Sequence, residues 1–161
     1  MGQSEQSTEQ SIEQSNEQAV TSSATTADIS NLLEKEITIN SATNPNWQLV
    51  QNQTQQAYVD STTRLANQTH IIHSISKGWV SIQNALTGNY LITSEELSIY
   101  QKYDGSANQK WRIIDGQNGT FGIQSNTSQY LTVTNKKELV LNATKSNSAW
   151  KLALFVSKTE N

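Results

Sequence analysis

Apolar and polar residues alternate through most of the chain after residue 45, and one short alternating segment occurs three times. The copies occupy residues 47–52 (WQLVQN), 79–84 (WVSIQN) and 121–125 (FGIQS). Each copy is followed by a tyrosine and then an apolar residue, at Tyr58, Tyr90 and Tyr130. Because a period of two is the pattern of a strand with one buried face, the chain is predicted to be all-β. A repeated unit this small buries its apolar face only against its neighbours, which predicts three packed units.

The three units also end alike. Their closing segments are residues 67–72 (NQTHII), 108–113 (NQKWRI) and 147–152 (NSAWKL). His70, Trp111 and Trp150 therefore share one position and lie 41 and 39 residues apart. Units two and three each contain one more alternating strand, at residues 97–99 and 139–141, after a charged turn. The pattern thus predicts about four short strands in every forty residues.

Three four-strand units that each close on a Gln-x-Trp motif resemble the ricin-type β-trefoil family. Gln109 and Trp111 keep the motif whole, whereas unit one has His70 in place of the tryptophan and unit three has Ser148 in place of the glutamine. The resemblance covers residues 45–157 and implies a single β-trefoil with a non-catalytic, lectin-like function. Several bacterial toxins, among them the cytolethal distending toxins, carry such trefoils as cell-attachment subunits.

The resemblance also implies where a sugar would bind. Sites of this family use an aspartate just after the Tyr-Leu strand, an aromatic platform, and the asparagine and glutamine of the closing corner. In unit one the implied residues are Asp60, Asn67 and Gln68. In unit two they are Tyr100, Tyr103, Asp104, Asn108 and Gln109, with Asp104 as a substitute acid. Unit three has Thr132 at the acid position and no nearby aromatic residue, so any glycan is expected at unit one or two.

The N-terminal region has a different composition. Residues 1–44 are predicted to be a mostly disordered, Glu/Gln/Ser-rich leader and linker, and residues 45–161 the trefoil domain. Ile29, Leu32, Leu33 and Ile37 have helical spacing, which favours a short helix or linker, although residues 37–39 also fit a strand. In an alternative repeat phase, Trp47 would be the closing tryptophan of a unit at residues 19–47.

The net charge and the residue content argue against several classes of function. The net charge is −3; residues 1–44 hold seven acidic residues and one lysine, whereas residues 45–161 hold seven acidic and ten basic ones. Without a stripe of Lys and Arg, nucleic acid is not an expected partner. There is no cysteine, no apolar run long enough to span a membrane, and no signal peptide.

His70 and His73 point to opposite faces of one strand, so no metal site is predicted. With no catalytic motif, neither an enzyme nor a cofactor is expected.

Two functional hypotheses remain. In the first, the chain is a secreted or cell-surface-tethered module that binds a host-cell glycan or glycoprotein, as the cell-binding subunit of a secreted bacterial toxin. In the second, it is a protein-binding trefoil without a sugar site, acting in toxin-complex assembly or as an inhibitor or immunity factor.

Overall fold

A computed structural model describes residues 25–52, 54–61, 68–95, 97–143 and 148–155. Residues 1–24 of the predicted leader and linker, and Asn67, lie outside these residues. The described strands are β1 (Glu36–Ser41), β2 (Trp47–Gln51), β3 (Ala57–Ser61), β4 (His70–Ser76), β5 (Trp79–Asn84), β6 (Tyr90–Ser94), β7 (Leu97–Gln101), β8 (Trp111–Asp115), β9 (Phe121–Ser125), β10 (Tyr130–Val133), β11 (Leu139–Asn142) and β12 (Trp150–Leu154). A 3-10 turn, Ala107–Gln109, precedes β8. The all-β prediction is confirmed.

Six of these strands close into an antiparallel barrel. The ring runs β1, β4, β5, β8, β9 and β12, and the pairing of β12 with β1 closes it. The other six strands form three hairpins, β2–β3, β6–β7 and β10–β11. The hairpins also pair with one another, through β7 and β11 and through isolated bridges beside β3. A six-stranded barrel covered by three such hairpins is a β-trefoil, with unit one formed by β1–β4, unit two by β5–β8 and unit three by β9–β12.

The strand register corrects the repeat phase of unit one. Gln83 pairs with Tyr90 and Gln124 with Tyr130 where the first strand of a unit meets the second. The equivalent pair in unit one is Asn40 with Gln48, so unit one opens at β1 and not at Trp47. Both phases considered for Trp47 were wrong, because this residue begins the second strand. The first barrel strand therefore lies within residues 1–44, which had been assigned to leader and linker.

The segment before β1 contains no helix within its described part. Residues 30–34 form a turn instead, and β1 buries Ile37 and Ile39 by strand alternation. Upstream of β1, the chain crosses the end of the barrel opposite the hairpins. The backbone N–H of Ala27 donates to the Ile113 carbonyl at 2.9 Å, and Ile29 is buried in the core. These residues close the open end of the barrel with apolar side chains.

The closing positions occupy the centre of the core. Trp111 and Trp150 are fully buried, and their indole N–H groups donate to the carbonyls of Leu91 at 2.9 Å and Leu131 at 3.1 Å. These bonds satisfy the polar atom of each indole while its rings fill the core. The interpretation of both tryptophans as core residues at one repeat position is confirmed.

In unit one, a different residue fills the core at the closing position. His70 is fully buried, and its Nε2 lies 2.7 Å from the Tyr100 hydroxyl. Tyr100 stands where the register places Val59 in unit one and Leu141 in unit three. A smaller residue at the closing position of unit one is thus matched by a larger one on the third strand of unit two, as a close-packed core requires.

Burial determines the protonation state of His70. Its Nδ1 has no hydrogen-bond partner among the described residues, and burial lowers the pKa of the imidazole from 6.5 to about 3. The charged form loses its hydration in the core without gaining a counterion. His70 is therefore a neutral core residue at neutral pH, and it cannot act as a metal ligand at the surface.

Candidate functional site

The register changes which residue stands at the acid position of unit one. Ile92 and Thr132 follow Tyr90 and Tyr130 by two residues, and the equivalent residue of unit one is Val50. All three side chains are buried. The carboxylate that the resemblance implied is therefore absent from this position in every unit.

Asp60 lies elsewhere in unit one, on the third strand opposite Gln48. Only 7% of its surface is exposed. Its carboxylate accepts the backbone N–H of Ser61 at 2.7 Å and the hydroxyl of Tyr58 at 3.3 Å. These bonds stay within the strand, so Asp60 presents little of its carboxylate to an incoming ligand.

The two closing glutamines brace the backbone. The Gln68 Oε1 accepts the N–H of Gln51 at 2.9 Å and the side-chain amide of Asn84 at 2.8 Å. Gln109 is buried, and its Oε1 accepts the N–H groups of Asp104 and Gly105 at 2.9 and 3.0 Å. Because these amide groups already hold strands and loops together, they have a structural role in both units.

Tyr100 is not an aromatic platform. None of its surface is exposed, and its hydroxyl contacts His70, so no ligand can stack on its ring. Tyr103 is different, because 54% of its surface is exposed. Its ring centroid lies 5.0 Å from that of Tyr90, which in turn lies 6.0 Å from the ring of His73. The rings of His73, Tyr90 and Tyr103 thus lie next to one another in series, from a barrel strand to the exposed tyrosine.

Asp104 and Asn108 lie in the same loop as Tyr103 and are connected by Ser106. The Ser106 hydroxyl contacts the Oδ1 atoms of both residues, and the Asn108 amide donates to the Thr93 carbonyl at 3.0 Å. The hydroxyl and then the backbone N–H of Ser106 lower the pKa of the exposed Asp104 carboxyl by donating to it. We call Tyr90, Tyr103, Asp104 and Asn108 the tyrosine patch. The structure therefore brings together three of the five residues that the resemblance implied in unit two.

Tyr90 and His73 were missed as surface residues of this site. The hydrogen bonds of His73 run to Glu34 Oε1 at 2.7 Å and to Gln83 Oε1 at 2.8 Å, which connects the patch to the segment before β1. The signal in the sequence was the repeat itself. Tyrosine recurs at the start of the second strand in units two and three, at Tyr90 and Tyr130, and Tyr90 is half-buried there.

Two kinds of feature were sought in the described part of the chain, clusters of metal-binding side chains and membrane-spanning helices. No group of three or more His, Asp or Glu side chains there is arranged to bind a metal ion. No helix among these residues has the length and apolar character of a membrane-spanning segment.

Comparison with solved structures identifies the same fold in proteins of low sequence identity. A mosquitocidal holotoxin matches with a TM-score of 0.69 and 21% identity over 76% of this chain and 17% of its own. The cytolethal distending toxin from Actinobacillus actinomycetemcomitans matches with a TM-score of 0.68 and 11% identity over 79% of this chain and 95% of its own. SeviL, solved bound to asialo-GM1 saccharide, matches with a TM-score of 0.66 and 16% identity over 76% of this chain and 98% of its own.

The sequence itself gives a family match. A search against curated proteins finds no match. The profile of the family described as ricin-type beta-trefoil lectin domain-like matches residues 66–147, from the closing corner of unit one to that of unit three. Since this match spans half of the chain and agrees with the trefoil geometry, the chain belongs to the ricin-type β-trefoil lectin-like domain family.

Proposed function

We propose that the protein is a non-catalytic glycan-binding module and that it binds sugar at the tyrosine patch of unit two. The observation that carries this proposal is the exposed ring of Tyr103 and, on the next residue of the loop, the exposed carboxylate of Asp104. The apolar face of a pyranose stacks on an aromatic ring, and a carboxylate accepts hydrogen bonds from neighbouring hydroxyl groups. Both groups are presented by one loop.

The loop is held in shape before any ligand arrives. Gln109 binds the backbone of Asp104 and Gly105, and Ser106 orients the Asp104 carboxylate. Preorganisation of this kind lowers the entropic cost of binding. The lowered pKa keeps the Asp104 carboxylate charged at neutral and mildly acidic pH, so it remains a hydrogen-bond acceptor there.

The affinity expected from this surface is low. One exposed ring and one carboxylate on an open loop make few contacts, and a dissociation constant of about 1 mM corresponds to only about −4 kcal/mol. Useful attachment to a cell would then need several sites or several copies.

The relatives indicate the setting of this activity. SeviL was solved bound to a saccharide, and two of the structural neighbours are toxins. We therefore propose a secreted or cell-surface-tethered protein whose partner is a host-cell glycan or glycoprotein, within a toxin complex.

One observation favours the second hypothesis, a trefoil that binds protein without a sugar site. The family's acid position is apolar or threonine in every unit, as Val50, Ile92 and Thr132 show. If the tyrosine patch is a protein contact, the exposed Tyr103 would be its anchor, because tyrosine is enriched at binding hot spots.

The test is an NMR titration of the 15N-labelled chain with simple methyl glycosides. Binding at the patch should shift the amide of Gly105, and Tyr103→Ala and Asp104→Asn should each weaken it. Asp28→Asn is the matched control, because the exposed Asp28 also accepts the N–H of the serine two residues on, at 3.1 Å.

Two outcomes would contradict this assignment. Shifts that persist unchanged in both patch variants would move the site elsewhere, and a loss on Asp60→Ala would move it to unit one. No shift with any glycoside, together with a stable complex formed with a protein of the native host, would establish the protein-binding hypothesis instead.

A further inference from the structure

A cleft far from the tyrosine patch in sequence lies where unit two passes into unit three. It has a volume of about 410 Å³ and lies between the turn that connects β8 to β9 and the residues before β12. Its lining includes Asp115, Gln117, Thr120, Phe121 and Ser148. Asp115 and Phe121 stand at no position that the family resemblance assigned to sugar binding, whereas Ser148 replaces the closing glutamine of unit three.

The strand register places the two most informative side chains together. Asp115 is the last residue of β8, Phe121 is the first residue of β9, and the two are directly opposed in the antiparallel pair. Directly opposed residues project from the same face of a sheet. The cleft therefore has an exposed carboxylate beside a half-buried aromatic ring.

The wall of the cleft is built from backbone and small residues. A Cβ atom on Gly116 would lie 2.7 Å from the Thr120 carbonyl oxygen, and one on Gly122 would lie 3.3 Å from the ring of Tyr130. Glycine at these two positions lets the backbone pack closely. These two glycines therefore have a packing role in the wall of the cleft, because a Cβ atom at either position would press on its neighbours.

Hydrogen bonds hold the connecting turn together. Within it, the N–H of Gly116 donates to the Thr120 carbonyl at 3.0 Å, and the Thr120 hydroxyl donates to the Gln117 carbonyl at 2.7 Å. The turn thus fixes Asp115 and Phe121 relative to each other at its two ends. A cleft held in this way requires little rearrangement on binding.

We propose that this cleft is a second glycan-binding site that takes a neutral or amino-substituted pyranose. Phe121 provides the stacking face, and Asp115 accepts hydrogen bonds from hydroxyl or ammonium groups of the sugar. Among the described residues that line the cleft there is no lysine or arginine, so within this lining an acidic sugar would place its charge beside Asp115 without compensation. The volume lies in the lower part of the range of about 300–1,000 Å³ that is typical of small-molecule sites, which suits one or two sugar rings.

The site does not depend on the tyrosine patch. Its ligand class follows from the cleft residues alone, so either site can bind sugar without the other. If both bind, one chain can engage two branches of a glycan or two glycans on one surface, and the apparent affinity then exceeds that of each weak site.

The experiment is an NMR titration of the 15N-labelled full chain with methyl β-galactoside, methyl α-mannoside, glucosamine and the methyl glycoside of sialic acid. The amides of Gly116 and Gly122 report on the cleft, and the amide of Gly105 reports on the patch. We expect saturable shifts at Gly116 and Gly122 with at least one of the first three probes, and none with the sialoside.

Two variants separate the sites. Asp115→Asn keeps the shape of the side chain and should weaken the cleft shifts about tenfold or more, since charge-assisted hydrogen bonds are lost. Asp104→Asn should leave those shifts unchanged. An unaltered melting temperature for Asp115→Asn would show that the variant remains folded.

Three results would overturn the proposal. The first is the absence of saturable shifts at Gly116 with all four probes up to about 50 mM, which is well above the expected range of weak sites. The second is undiminished binding by Asp115→Asn, and the third is binding of the sialoside in preference to the neutral sugars. Shifts at Gly105 alone would support the tyrosine patch while refuting a site in the cleft, so the two proposals can fail separately.

Discussion

Acid should destabilise this protein through His70. The imidazole is fully buried, contacts the Tyr100 hydroxyl through Nε2, and has no partner for Nδ1 among the described residues. Protonation in the folded state would place a charge in the core without a counterion. Unfolding removes this restriction, because the free imidazole titrates at its ordinary pKa.

The sign and size of the effect follow from linkage between protonation and folding. The pKa of His70 is about 3 in the folded protein and 6.5 without burial, so the unfolded chain binds more protons below pH 6.5. The contribution of the neutral histidine to stability is complete above that pH and is lost as the pH falls toward 3. Each pH unit within this window costs about 1.4 kcal/mol, so lowering the pH from 7 to 5 should cost about 2 kcal/mol. That is a large part of a stability of about 5–15 kcal/mol.

The assay is urea unfolding at pH 7, 6 and 5, with the free energy of unfolding compared between wild type and His70→Gln. Glutamine does not titrate in this range and can still hydrogen-bond to Tyr100. The variant should be less stable at pH 7 but should lose about 2 kcal/mol less than wild type between pH 7 and pH 5. His73→Gln is the matched control for the other histidine, and it should keep the dependence on His70.

The reasoning fails if wild type and His70→Gln show the same slope of stability against pH. It also fails if the slope disappears in His73→Gln, because the acid sensitivity would then not originate at His70.

Two further substitutions test the core. Trp111→Ala should lower the free energy of unfolding by about 3–5 kcal/mol because it removes a fully buried indole; near-wild-type melting of a soluble variant would contradict the core assignment. His70→Trp should overpack unit one and cost about 1–3 kcal/mol, and adding Tyr100→Leu should recover part of that loss by restoring the large–small pairing of the other units. Strictly additive losses in the double variant would show that the two positions do not compensate each other.

The sequence predicts the trefoil correctly where a strand has a distinctive residue or pattern of its own. Trp111 and Trp150 define the closing strands of units two and three, and alternation with charged turns defines the hairpins. Unit one was misaligned because residues 47–52 imitate residues 79–84, although they form a second strand and not a first. Residues 37–41 (ITINS) match residues 80–84 (VSIQN) and mark the true first strand. A short apolar segment fits either the first or the second strand of a unit, and only the strand pairing with Gln48 shows which of the two it forms.

Prediction of the candidate sites from the sequence is limited in a different way. Tyr100 was expected at the surface because it lies near the platform position in sequence, but its burial depends on His70 in another unit. His70 in the place of a tryptophan was the available hint, since a smaller closing residue requires a larger neighbour. The cleft at Asp115 and Phe121 left no signal in the repeat, because it arises where one unit ends and the next begins.

The barrel is closed by the first and last strands of the described chain. β12 pairs with β1 through five residue pairs, from Trp150 with Ser41 to Leu154 with Ile37. A chain still emerging from the ribosome lacks β12, so its barrel stays open with two unpaired edges, at β1 and β9. Such edges are templates for pairing with other chains, and contacts this distant in sequence form slowly. Emergence of β12 is therefore the step that converts an association-prone sheet into a closed molecule, and truncation before β12 should yield aggregates.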